Sequence, residues 1–550
     1  MTTQKIKKRL FWLLLVCMFI ALGSVMLRPP PFSGPINKRA PNIFFPDALI
    51  RSYSLSKLAP DLLRIPVARD VLTEDFVAYY EQNENRMALS GTLRRIAFEH
   101  KLDFPERLLE SVFDEPGEIA LWRDDVGRLK DFVIVLSLNP LARIIQTLLP
   151  AVAKAADIQL SSAGMLDGTD VEILVLKYGT GHNLLLLSKG NRIVALSNPG
   201  MLITGENKKK DSTHWPQSEV AVKVIQELLE GGKSTSALAQ HFFHEKPLAG
   251  NKHELTLGAR AFALNYEVFV PGLKALNLTF DDQGKWQSAA LLDGAAWHDE
   301  SASNLWTALP HGASFCAALP ANWSQMASLL KKFNTHQPQQ LDSKTFTDHF
   351  TGPVAVCWYK DSRLYTPLFA APLTAGVDEK QIQEFFDLAA QAIKAGEGKT
   401  SMDASSGSAL WQGEIDSRFG LSGHNGNRSL KPALAIQRNI AFFSPDATLV
   451  DNALAVAAKR YPALSDSFRT KKEAPLVFAD PGALASLLRK EIFAALPRDE
   501  EALFRNAAEA YLVPRLEALA RYPAQRIGLS EKVRGAPAWY PLEWKESTAR

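Results

Sequence analysis

Short apolar runs of strand length alternate along this chain with longer segments whose apolar residues recur at helical spacing. FVIVLSL (132–138) and LLLLSKG (184–190) are of the first kind, and LARIIQTLLPAVAKA (141–155) and EKQIQEFFDLAAQAIKA (379–395) of the second. Strands and helices are mixed without a strict βαβ alternation. The pattern therefore predicts an α+β fold with largely antiparallel sheets and packed helices.

One run stands apart. Leu10–Leu27 is an uncharged, predominantly apolar run of 18 residues, and at about 1.5 Å of rise per residue it just crosses a hydrocarbon core of about 30 Å. Lys5, Lys7, Lys8 and Arg9 precede it, a basic flank that stays cytoplasmic and sends the following chain outward. The expectation is a cytoplasmic tip and transmembrane signal anchor over 1–28, then a stiff Pro-rich stalk over 29–46 opened by Pro29-Pro30-Pro31. A competing reading is a cleaved secretory signal, because Ala21-Leu22-Gly23 offers small residues and would leave Ser24 as the new N-terminus. Leu14-Leu15-Val16 ahead of Cys17 is no lipidation box.

The runs also repeat. Gly117–Leu121 matches Gly352–Val356 at an offset of 235 residues, Arg128-Leu129 matches Arg363-Leu364 at the same offset, and NRIVALSNPGMLI resembles RNIAFFSPDATLV further on. Gly181-His182-Asn183 recurs as Gly423-His424-Asn425. ALNLTFDDQGKWQSAALL reads as a hairpin turning at Asp281–Gly284, with a partner in RIGLSEKVRGAPAWYPLEW. These matches keep their order, which predicts an internal duplication into two similar α+β units, 47–300 and 305–550, behind the N-terminal transmembrane helix.

Composition narrows the function. The chain has 550 residues and a formal net charge of +3, but five basic residues at 5, 7, 8, 9 and 28 supply more than that excess, and the remainder is slightly acidic. No basic tract interleaved with aromatics appears, so nucleic acid is not an expected partner. Lys208-Lys209-Lys210 reads as a solvated loop. Of three cysteines, Cys316 and Cys357 fall in strand-like segments beyond the apolar run; they read either as a disulfide or as two buried thiols.

No coherent catalytic set emerges. His241, His244, Glu245 and His253 form the densest histidine group, but their order is neither H-E-x-x-H nor H-x-x-E-H, and Pro247 and Gly250 interrupt it. Ser54–Lys57 supplies S-x-x-K without the K-T-G and S-D-N that penicillin-binding enzymes need, and Ser328–Lys331 repeats it idly. Gly396–Thr400 resembles the end of a phosphate loop but lacks its first glycine and a preceding strand. The tryptophans, among them Trp122, Trp215, Trp297, Trp358, Trp411 and Trp544, read as core more than as a carbohydrate platform. No catalytic, cofactor-binding or metal residue is assigned.

The stretches PDALIRSYSLSKLAPDLLRIPVARDVLTEDFVAYYE, GTLRRIAFEHKLDFPERLL and GEIALWRDDVGRLKDFVIVL resemble a bacterial domain-of-unknown-function family. The resemblance implies an exported, single-anchor protein encoded beside alpha-2-macroglobulin-like proteins, and it carries no catalytic residues. The sequence thus reads as a periplasmic, inner-membrane-anchored, non-enzymatic scaffold or partner, possible company being an alpha-2-macroglobulin-like protease trap. The alternative is an envelope hydrolase or glycan-binding protein with a site around His241 and His244 or the duplicated loops.

Overall fold

The computed structural model describes residues 41–71, 114–123, 129–137, 159–178, 182–205, 215–231, 235–262, 270–297, 302–326, 347–377, 380–382, 384, 401–402, 410–417, 428–468, 475–495, 505–506 and 508–547. Two compact units divide the chain. The first takes Met1–Ile65, Val77–Leu264 and Ala275–Trp286, the second Pro66–Phe76, Asn265–Lys274 and Gln287–Arg550.

In the first unit the strands are β1 (Ala48–Ser52), β2 (Gly117–Arg123), β3 (Leu129–Ser137), β4 (Gln159–Met165), β5 (Glu172–Tyr178), β6 (His182–Lys189), β7 (Arg192–Leu196), β8 (Lys252–Gly258) and β9 (Leu273–Asp281). They pair antiparallel in the order β9-β8-β1-β2-β3-β7-β6-β5-β4. Helices are few here. α1 (Leu55–Leu62) follows β1, capped by Ser54, whose side chain accepts from the Lys57 amide. α2 (Glu219–Glu230) starts at Ser218 and lays Ala221, Val222, Val224, Ile225, Leu228 and Leu229 on β6 and β7; this i, i+3, i+4, i+7 spacing makes one apolar face. The short α3 (Ala237–Gln240) begins at Ser236.

The second unit contains β10 (Trp286–Leu292), β11 (Ala313–Pro320), β12 (Pro353–Tyr359), β13 (Leu368–Pro372), β14 (Ser401–Met402), β15 (Leu410–Gln412), β16 (Ile415–Ser417), β17 (Arg428–Leu430), β18 (Ala433–Gln437), β19 (Ile440–Ser444), β20 (Val477–Ala479), β21 (Gln525–Leu529) and β22 (Ala538–Glu546). Their antiparallel order is β10-β22-β21-β20-β11-β12-β13-β19-β18-β15-β14, with β16 and β17 a separate hairpin. From β21 to β14 this repeats, strand for strand, the order from β9 to β4. The helices agree too: α4 (Ser303–Ala308) and α5 (Ala447–Ala457) cover the sheet, and α5 packs on β18 and β19 as α2 packs on β6 and β7. An arginine ties the hairpin to the helix end in each: Arg192 Nη1 donates to Leu228 O at 2.7 Å, and Arg438 Nη2 to Ala457 O at 2.8 Å. The strand pairs Ile119–Leu121 with Val354–Val356, and Ile193–Leu196 with Ile440–Phe443, occupy matching places in the two orders.

The α+β expectation with an N-terminal transmembrane helix is corrected. The ladders are antiparallel throughout the described residues, and sheet outweighs helix. The reason is local. Tight returns such as Arg438-Asn439, both at positive φ (51° and 63°), reverse the chain within two residues, so no helix is needed as a crossover and helices remain only as covers. Among the described residues no helix is long and apolar enough to cross a membrane. The run Leu10–Leu27 and the helix expected at 141–155 lie outside the described residues, as does nearly all of that at 379–395.

The second core gathers Leu305, Trp306, Leu449, Val450 and Leu454 over Ala318, Ala355, Leu368, Ala370 and Phe442. Cys316 and Cys357 lie opposite each other in this face, fully buried, and are joined by a disulfide with a Cα–Cα distance of 4.1 Å.

Candidate functional site

Strand alternation sends successive side chains of β1 and β8 to opposite faces of the first sheet. Arg51 and Glu254 share the face covered by α2 and α3, and Ser52 and His253 share the other; both pairs are directly opposite in the β1–β8 register.

On the first face Arg51 Nε donates to Glu254 Oε2 at 2.5 Å, Nη2 contacts the same oxygen, and Nη1 donates to Lys246 O at 3.1 Å. Asn277 Nδ2 donates to Glu254 Oε1 at 3.0 Å and to Thr256 Oγ1 at 2.9 Å. His244 stands behind, with Nε2 3.1 Å from Thr256 Oγ1 and Nδ1 3.5 Å from Glu254 Oε1. Burial depresses the His244 pKa to about 4, against the pull of Glu254. On the other side of Arg51, across β1 and β2, Glu118 accepts from Ser236 Oγ. Burial raises the Glu118 pKa, while Ser236, Arg51 and Arg192 act in the opposite sense.

A cleft of about 420 Å³ opens beside this cluster. Arg51, Glu118, Val135, Arg192, Thr235 and Ser236 line it, with Glu227 and Glu230 of α2 and the Pro247-Leu248 turn along its walls. Gly231, at φ 53°, ends α2 here; a Cβ at this position would lie 2.6 Å from Arg192 Nε, so glycine lets the guanidinium lie across the helix end. Thr235 is 5% exposed, and its Oγ1 has no hydrogen-bond partner among the described residues.

The second unit shows what this fold looks like without the cluster. The matching helix-covered face carries Cys316, Ala318 and Pro320 on β11, Pro353, Ala355 and Cys357 on β12, and Phe478 on β20. Its own cleft lies at the matching place, between Gly352, Pro353, Pro372, Arg438 and Ala457. The helix-tying arginine is kept there, while Arg51 and Glu118 have apolar residues in their places. A buried charge on this face belongs instead to β21, where Arg526 lies over the Phe468 ring and donates to Glu546 O.

On the other face of the first sheet, Ser52 Oγ is 2.8 Å from His253 Nδ1, and His253 Nε2 is 3.0 Å from Asp61 Oδ2 of α1. Tyr53 OH donates to the same Asp61 oxygen at 2.8 Å, and burial with that bond pushes the Tyr53 pKa up to about 12. With Asp61 accepting, the neutral ring carries its proton on Nε2 and offers Nδ1 as acceptor. This is the connectivity of a nucleophile, base and orienting acid. The serine is nevertheless 3% exposed and the histidine 0%, stacked on Phe280, and the single Ser52 proton is shared between Nδ1 and Ser54 O, 2.6 Å away.

The structure separates the histidine group. His241 ends α3 and meets Phe45 and Phe242 edge-on, His244 joins the Arg51 cluster, Glu245 is exposed, and His253 lies on the opposite face. Among the described residues no group of three His, Cys, Asp or Glu is placed to hold a metal ion. Ser54 of the S-x-x-K serves as a helix cap, and Lys57 pairs with Asp114 at 3.1 Å. Ser328–Lys331, Gly396–Thr400, Lys208–Lys210 and Gly423–Asn425 lie outside the described residues. Trp122, Trp215, Trp297 and Trp411 are buried, whereas Trp544 is exposed and donates from Nε1 to Ser288 Oγ. Sequence reasoning missed the Arg51, Glu118 and Glu254 cluster. Its one signal was an arginine in the middle of ALIRS, an otherwise apolar strand.

The chain is 30% identical over 526 residues to the uncharacterized protein YfaA of Escherichia coli (strain K12), covering 91% of this chain and 90% of that one. No solved structure matches it. The family model for an uncharacterized protein conserved in bacteria, DUF2138, matches residues 29–544 and so runs through both units; the chain belongs to that family.

Proposed function

We propose that this protein is a non-enzymatic partner protein of the bacterial envelope, held at the inner membrane through Leu10–Leu27 with the rest of the chain in the periplasm, and that its first unit is the recognising half. One observation carries the recognising role: the first unit sets the buried Arg51, paired with the buried Glu254, and the half-buried Glu118 on this face, whereas the second, with the same strand order, has Pro320 and Pro353 in the places of Arg51 and Glu118. Buried charges cost several kcal/mol of desolvation each, and the second unit shows that this fold does without them at that place. Such a cluster beside an open cleft is where a binding role is expected. The basic flank of the apolar run supports the orientation, and the disulfide suits an oxidising compartment. The family resemblance makes an alpha-2-macroglobulin-like envelope protein the first partner to test.

A photo-cross-linking residue at Ser137, in the first cleft, is expected to give a discrete adduct in intact cells. The same residue at Thr307, in the second cleft, is expected to give none. Equal adducts from both positions, or none from Ser137, would overturn the assignment of recognition to the first unit.

A second reading, an envelope hydrolase, is favoured by the Ser52–His253–Asp61 connectivity and opposed by its burial.

A further inference from the structure

Both arginines of the first cleft lie inside it, beside Glu118, and two further carboxylates stand at its mouth. Arg51, 6% exposed, and the half-buried Arg192 lie inside; Glu227 and Glu230 stand exposed on α2 at the rim. The bonds of Arg51 to Glu254 and Lys246 use one N–H from each guanidinium nitrogen, which leaves a second N–H on Nη1 and on Nη2. Arg192 commits Nη1 to Leu228 O, and its other nitrogens have no partner among the described residues. Thr235 Oγ1 adds a buried hydroxyl that has no hydrogen-bond partner among the described residues. An unmet buried hydroxyl is costly, and a ligand oxygen would supply what is missing.

We propose that this cleft binds a small zwitterion, an amino acid or short peptide, with its carboxylate inward at Arg51, Arg192 and Thr235 and its ammonium outward at Glu227 and Glu230. The inference rests on the reading of this cleft as the recognition site and names the chemistry it takes. Guanidinium–carboxylate bonds are charge-assisted, and their planar fork fixes orientation as well as affinity. Burial raises the pKa of Glu118, and Ser236 Oγ donates to its Oε2, so one of its oxygens is already engaged. About 420 Å³ suits a ligand of this size, and the mixed Val135, Pro247 and Leu248 walls suit its aliphatic part. At the rim Glu230 is held by Lys189 at 3.2 Å across an exposed pair, a weak contact that an incoming ammonium can replace. The second cleft, with Arg438 but Pro320 where Arg51 stands, predicts a single binding site per chain.

Calorimetry on the full chain tests this with L-alanyl-L-alanine, D-alanyl-D-alanine and alanine as probes, against N-acetyl-alanyl-alanine, alanyl-alanine amide and glucose. At least one zwitterion is expected to bind at one site per chain, the acetylated form about tenfold more weakly and the amide more weakly still. Arg192→Met is expected to lower zwitterion affinity at least tenfold. The exposed pair Glu227→Gln and Glu230→Gln is expected to bring the dipeptide down to the affinity of its acetylated form while leaving that form unchanged; these surface changes keep the test valid if Arg192→Met fails to fold. Binding of glucose alone, of the amide in preference to the acid, or of none of the probes would overturn the zwitterion. Adducts from Ser137 together with silence toward every probe would overturn this inference alone and leave the recognition role standing.

Discussion

Arg51 and Glu254 face each other across β1 and β8, 203 residues apart in the chain, with Arg51 Nε 2.5 Å from the carboxylate and both side chains less than a tenth exposed. Removing one partner leaves the other buried and uncompensated. Arg51→Met is therefore expected to cost about 3–5 kcal/mol, and Glu254→Leu a similar amount. The double variant is expected to recover most of the loss, because the second unit fills the same face with apolar side chains. Denaturant unfolding of the four proteins closes the cycle; strictly additive losses would refute the coupling.

The Cys316–Cys357 bond closes a 41-residue separation between adjacent strands inside the second core. Replacing both cysteines with alanine is expected to lower stability by about 2–4 kcal/mol, measured by denaturant titration. Peptide mass spectrometry of unreduced protein is expected to find the two joined, and free alkylation of both thiols in the native protein would contradict the bond.

His244, depressed to about 4 by burial, gains its proton more readily unfolded than folded. Its contribution to stability is whole above pH 6.5 and is lost as pH falls from there to about 4, by roughly 3 kcal/mol. Burial lowers the pKa values of His241 and His253 as well, so they add in the same sense. Glu118 works oppositely: its raised pKa removes stability as pH climbs above the ordinary carboxylate range. Melting curves from pH 4 to 7 should be visibly flatter for His244→Gln; an unchanged slope would show that another group governs the acid limb.

Ser52 has the partners of a nucleophile, but it is 3% exposed and its proton is shared with Ser54 O. A fluorophosphonate probe is expected to leave the native protein unlabelled, while labelling at Ser52 would establish the hydrolase reading in place of the binding one.

A reporter active only outside the cytoplasm, fused after Ser52, is expected to be fully active, and a cytoplasm-only reporter silent. Neutralising Lys5, Lys7, Lys8 and Arg9 should weaken that orientation. The reverse reporter pattern would place the chain on the other side.

Much of the strand content was legible because it is local. FVIVLSL and LLLLSKG became parts of β3 and β6, and the matched segments at 117–121 and 352–356 hold matching places in their sheets. The balance of sheet and helix was misread, since apolar spacing at 141–155 and 379–395 says what a segment prefers and nothing of how much sheet surrounds it. The polar cluster was illegible for a different reason. Its members come from β1, β2, β8 and β9, and only the register brings Arg51 between Glu118 and Glu254. The histidine-rich stretch misled for the complementary reason: residues adjacent in sequence, His253 and Glu254, point to opposite faces of one strand.

The place of β1 between β2 and β8 has a consequence for a chain that leaves the ribosome N-terminus first. β1 is made early, yet one of its edges stays unpaired until β8 has emerged some two hundred residues later, and β11 waits likewise for β20. An open, apolar edge over that interval is a template for pairing with the wrong strand. Each half can commit to its sheet only when its last third arrives, so synthesis stalled before β8 or before β20 should yield aggregation-prone nascent chains, and the order of emergence, more than final stability, sets when this protein needs a chaperone.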